Sequence, residues 1–202
     1  MDRTVTVTGQ GTSYAVPDSA VVSASVGHRA ASVTEALEGA NSAAAKAIEV
    51  ASQHLDASRV ATQGFNVWPQ HDHQGRLDGF ECRHSLSVRC PSLEVAGAVI
   101  DALAHAVGNR LQVDGVSLVV TDQAEALRLA TEAAYAEATA KATHLAGLAD
   151  ATLGVALTVT EGASFQPHPH RYAEAASAKM DTAFAPGESA LSASVTVTFA
   201  LT

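Results

Sequence analysis

The chain has 202 residues, 47% of them hydrophobic, 16% charged and only 4% aromatic. That composition excludes a disordered tail and suffices for one large domain or two small ones, with a core mostly of Ala, Val and Leu. The formal net charge of −9 makes nucleic acid or an anionic membrane a poor partner, and no apolar run reaches the ~18 residues of a transmembrane helix.

Thr4 to Gly9 alternates valines with threonines, as a half-buried strand does. Gly9 and Gly11 then predict a turn or bulge; GQG lacks the Lys-Ser/Thr pair and the following helix of a phosphate loop. After a Pro17-Asp18 turn, Ala20, Val22, Ala24 and Val26 mark a second strand. Ser32-Val33-Thr34-Glu35 is a capping box that opens a helix to about His54. Arg59 to Trp68, ending at Pro69, and Phe80 to Arg89 read as the arms of a long hairpin with its tip near His71 to Gly75. Pro91 fits the first position of a helix that Gly108-Asn109 ends.

Val113 to Val120 is the next strand. Asp122 to Ala149 carries the longest clear period, with Leu127, Ala130, Ala134, Ala138, Ala142, Leu145 and Ala149 at steps of three or four. Asp122 with Glu125 reads as its capping start. A stripe this rich in alanine lets its neighbour approach closely. Arg128–Glu132 and Glu137–Lys141 are four apart on its exposed side. Val155, Leu157 and Val159 predict a strand; the pattern lapses from 162 to 190, a long loop with a helical stretch over Tyr172 to Ala178. Ala193 to Leu201 alternates strictly and is the clearest strand of all.

The order is β-β-α-β-β-α-β-α-β-β. It predicts an α+β fold, an antiparallel sheet with three helices on one face and a protruding hairpin near 60–89. No linker divides the chain, so 1–202 reads as a single domain. The two β-β-α units at about sixty-residue spacing point to an internal duplication within 1–110.

These pieces resemble the SIMPL-domain family along nearly the whole chain. The resemblance is carried by VTVTGQGTSYAVPDSAVVSASV, the EAL of Glu35 to Leu37, the hairpin ending in Gly79-Phe80, and Leu93 to Leu103. The A-x-x-x-A-x-x-KA-x-x-LA run at Ala134 to Ala146, Pro186-Gly187 and the SASVTVTFAL terminus complete it. The family includes bacterial periplasmic and outer-membrane-associated immunogenic proteins. The resemblance implies an α+β fold, large ring-like or hollow homo-oligomers, and no established enzymatic activity or functional residues to carry over. Two departures stand out. Many members carry a secretion signal that is not visible here, and the family's Y-x-x-x-N pattern is replaced by Phe80-Glu-Cys-Arg-His84.

Met1 to Gly11 has no basic region followed by an apolar one, which predicts a cytoplasmic protein, or a secreted or periplasmic one if a leader has been removed. Cys82 and Cys90, eight residues apart on one strand, would lie roughly 26 Å from each other, far beyond the ~7 Å of a disulfide. They predict reduced thiols.

Nine histidines are the main anomaly. His71-Asp72-His73 sits at the hairpin tip and His168-Pro169-His170 in the late loop. An H-x-H on extended chain places both imidazoles on one side, as Zn²⁺, Ni²⁺ or Cu²⁺ requires. If the loops met, His71, His73, His168 and His170 could hold a divalent transition metal; two solvated polar loops are the plainer reading. His84 falls on the apolar face of its strand, which predicts a buried, hydrogen-bonded neutral imidazole, or an exposed one if the register breaks. Trp68-Pro69 suits either an interface contact or a core plug. No G-x-S-x-G, G-x-x-x-x-G-K-[ST], H-E-x-x-H or C-x-x-C is present. The expectation is a non-enzymatic, self-associating scaffold or binding protein without a cofactor. The alternatives are a metal- or small-ligand-binding module and an uncharacterised enzyme.

Overall fold

The computed structural model describes residues 3–162 and 187–202. The elements are β1 (Thr4–Ala15), β2 (Ser19–Ala30), α1 (Val33–His54), β3 (Val60–His71), β4 (Leu77–Cys90), α2 (Leu93–Val107), β5 (Leu111–Val119), α3 (Ala124–Leu148), β6 (Leu153–Glu161) and β7 (Ser189–Leu201). The α+β class, the element order and the antiparallel pairing are as the sequence implied. The strands divide between two sheets, of order β1-β7-β6 and β3-β4-β2-β5. Alternation shows which face of a strand is buried and not which strand pairs with it. The chain forms two compact units, one around each sheet.

The first unit holds β1, α3, β6 and β7. β1 and β7 pair without a break from Thr4 opposite Ala200 to Ala15 opposite Ser189. Their alternation sorts the side chains cleanly. Val5, Val7, Val195, Val197 and Phe199 turn inward against α3, while Thr6–Thr198 and Thr8–Thr196 hydroxyls meet at 2.9 Å on the exposed face. The helix buries Ala126, Ala130, Ala134, Ala138, Ala142 and Ala146, always four apart. That ridge slants about 26° to a helix axis, so it leaves Leu127 partly exposed and Leu145 on the surface.

Gly9 and Gly11 correct the expected turn. They are mid-strand residues opposite Val195 and Ala193, with no bulge. A methyl at Gly9 would lie 2.0 Å from the Ala134 carbonyl oxygen, and one at Gly11 the same distance from that of Ala130. The glycines are where strand backbone meets helix backbone. The start of α3 also differs in detail: Asp122 accepts from the Ala124 amide at 3.0 Å, and Glu125 pairs with Arg128 at 2.6 Å instead of closing a box.

In the second unit α1 and α2 pack on the β3-β4-β2-β5 sheet. Val22, Val26, Leu86 and Val88 meet Ala44, Ala47 and Ala51 of α1 and Ala96, Val99 and Leu103 of α2. Ser32 caps α1, accepting from the Glu35 amide at 3.3 Å. Ser92 caps α2 in the same way, which puts Pro91 just outside the helix rather than at its first position. Gly108, at φ 58°, ends it as expected. β3 runs past Pro69 to His71; it is an edge strand, where a missing amide is tolerated.

Candidate functional site

The hairpin tip is closed by its own carboxylate. Asp72 Oδ1 accepts from the amides of Gln74 (2.8 Å) and Arg76 (2.9 Å), and Arg76 Nε donates to Oδ2 at 2.9 Å. Gly75, at φ 76°, completes the turn. The Arg76 amide does most to hold the Asp72 carboxyl below its ordinary value, with the Arg76 guanidinium and the Gln74 amide adding to it. Asp72 is thus engaged in the turn, and His71 and His73 beside it are exposed. His168 and His170 lie outside the described residues, as does the expected helical stretch over Tyr172 to Ala178. Among the described residues no group of three or more His, Cys, Asp or Glu side chains is placed to hold a metal ion.

His84 is half-buried. Its Nε2 lies 3.1 Å from Thr62 Oγ1, and its ring stands edge-on to Phe65 with centroids 5.7 Å apart. β3 shifts register between Thr62 and Gly64, so the contact sits beside a bulge. Trp68 is partly exposed and stacks under the Arg83 guanidinium, 5.6 Å from the ring centre. Cys82 and Cys90 are buried free thiols on β4. Burial pushes both thiols up; at Cys90 the Arg59 charge partly opposes it. Neither is a ready nucleophile.

The first unit carries a feature that the sequence reading passed over: its two sheet edges are treated differently. At the β1 edge, α3 reaches across. Glu137 accepts from the Gln10 amide, Lys141 Nζ donates to the Thr8 carbonyl at 3.1 Å, and the two side chains pair with each other at 3.1 Å. Exposed ion pairs add little by themselves. Here the pair occupies backbone groups of an edge strand, which is a way to block further pairing. The signal was the four-residue spacing; its target could not be read from it.

At the β6 edge no such cover exists among the described residues. Val155, Leu157 and Val159 are 72%, 53% and 56% exposed. Register shifts between Leu153 and Ala156 and between Ala156 and Thr158 break the ladder to β7. Between β6 and α3 runs an open groove of about 390 Å³, with Tyr135, Val159 and Val195 along it. Tyr135, Leu145 and Leu148 add exposed apolar surface on the helix.

Comparison with known proteins gives this chain its relatives. It is 28% identical over 211 residues to the 26 kDa periplasmic immunogenic protein of Brucella melitensis biotype 1, covering 96% of this chain and 83% of the relative. The protein of the same name from Brucella abortus (strain S19) matches equally. A solved structure titled as AtUAH in complex with glyoxylate aligns at a TM-score of 0.28 and 12% identity, over 55% of this chain and 29% of that one, too little to carry an argument. The relatives overturn the cytoplasmic location expected above: both are named as periplasmic proteins. That expectation rested on the first eleven residues, which do not report on a leader. No helix among the described residues is long and apolar enough to cross a membrane. The model of the SIMPL family, described as a protein of unknown function (DUF541), matches residues 5–199, and the chain belongs to that family.

Proposed function

We propose that this protein is a non-enzymatic, self-associating scaffold or binding protein of the periplasm, and that copies meet through the apolar side chains of β6. The observation behind this reading is the contrast between the two edges of one sheet. The β1 edge is occupied by Glu137 and Lys141, whereas β6 leaves three aliphatic side chains more than half exposed. Exposed apolar surface of this kind marks association sites. The register shifts in β6 work against a simple continuation of the sheet from copy to copy, so side-chain burial drives the contact. The names of the relatives support the periplasm, and the burial of both thiols is in keeping with a role without chemistry.

Light scattering behind a sizing column tests it. The wild-type chain is expected at a multiple of 20.6 kDa, unchanged by a chelator, and the Val155→Lys, Leu157→Lys double variant at the monomer mass with its circular dichroism intact. A wild-type monomer at high concentration, or an assembly that the double variant leaves whole, sinks the reading.

A further inference from the structure

β5 begins at Leu111, opposite Val26. β2 continues for four more residues, Gly27 to Ala30, paired only with β4. The sheet therefore steps from four strands to three, and the step leaves a half-open cleft of about 380 Å³. Its lining includes Ser25, Gly27, Arg29, Glu81, Arg83 and Arg110. The register places Gly27 opposite Arg83 and Arg29 opposite Glu81, so these alternate residues share the sheet face away from the α1–α2 core.

We propose that this cleft binds a small anionic metabolite through a carboxylate or phosphate group. Three guanidinium groups and one carboxylate line it, in a chain with 12 Lys and Arg against 21 Asp and Glu. The local charge is the reverse of the global one. Two of the arginines are only partly engaged: Arg29 gives Nη2 to Asp78 and Arg83 gives Nη2 to Glu81 at 3.4 Å. Their Nε and Nη1 groups have no hydrogen-bond partner among the described residues. Arg110 is exposed and makes no ion pair there. Guanidinium forks match carboxylate and phosphate oxygens two at a time.

The floor points the same way. Ser25 is 1% exposed, and its Oγ has no hydrogen-bond partner among the described residues. A buried hydroxyl in that state is unfavourable until something accepts or donates to it. Beside it, Gly27 is not demanded by the fold: a methyl there would meet nothing nearer than Cys82 O and Glu81 Oε1, both at 3.7 Å. What the glycine leaves is room. The volume lies at the small end of small-molecule sites, which span about 300–1,000 Å³.

Titration calorimetry of the full chain at fixed ionic strength, with inorganic phosphate in one arm and citrate in the other, tests the proposal. The expected result is saturable one-to-one heat from at least one anion, the stronger arm showing which oxyanion the site prefers. Arg110→Gln, which breaks no ion pair, should weaken binding about tenfold or more. Gly27→Val, which fills the floor, should do the same, with melting curves confirming the fold. Lys46→Gln changes net charge equally but lies on α1, paired with Glu49, and should shift affinity less than about twofold. No saturable heat from either anion overturns the site. So does equal loss in Lys46→Gln, or full affinity in Arg110→Gln.

Discussion

Gly9 and Gly11 show how much a single missing methyl can fix. Their strand position needs no unusual backbone angle; what it needs is the absence of Cβ, because the carbonyls of Ala134 and Ala130 occupy that space. Gly11→Ala should therefore cost about 3 kcal/mol by overpacking, measured by urea unfolding. Gly147→Ala, near the end of α3 with nothing within 4 Å, should gain about 0.5–1 kcal/mol from helix propensity. Equal effects at the two positions would remove the close-approach explanation. Glycine in a sequence reports permission and not its reason, so a turn was the natural reading of GQG. The reason sits about 120 residues further along the chain. The cysteines were legible because their constraint is local: both lie on β4, and strand rise alone keeps them apart.

At the scale of elements, the hairpin tip gives a pH-dependent prediction. The Asp72 carboxyl is held below its ordinary value of 3.8, first by the Arg76 amide. A depressed acid stabilises the fold fully above its unfolded pKa, and that contribution disappears as pH falls through the lower folded value. Amide resonances of Gln74 and Arg76 should hold steady above about pH 4 and move together below it. In Asp72→Asn the same resonances should lose that response; an unchanged titration would mean that another group controls the turn. Caps and alternation made most elements readable. Ser32 and Gly108 stood where α1 and α2 begin and end, and β7 announced itself by strict inward and outward alternation. β6 was harder, since its two register shifts make the apparent alternation of Val155, Leu157 and Val159 no guide to which face is covered. Likewise the Glu137–Lys141 spacing fits an ordinary helix pair, and only its reach to Gln10 and Thr8 shows it guarding a strand edge.

For the whole molecule, the sequence offered one continuous chain without a linker, and the structure sorts it into two compact units whose membership is not sequential. Pairing partners are set by three-dimensional register, which a period-two pattern does not encode. The cleft at the β2–β4–β5 corner was equally hidden, because it exists only where one strand stops short of its neighbours. Non-sequential membership also orders events in time. Every strand pair of the β3-β4-β2-β5 sheet lies within residues 18–119, whereas β1 waits for a partner that starts at Ser189. Pulsed hydrogen exchange during refolding should protect β2 and β4 amides before those of β1 and β7, since distant closure is slow; simultaneous protection would refute this order. In synthesis the delay is absolute. β1 emerges from the ribosome long before Ser189–Leu201, the strand it pairs with, so the β1-β7-β6 sheet closes only after every strand of the other sheet has been made.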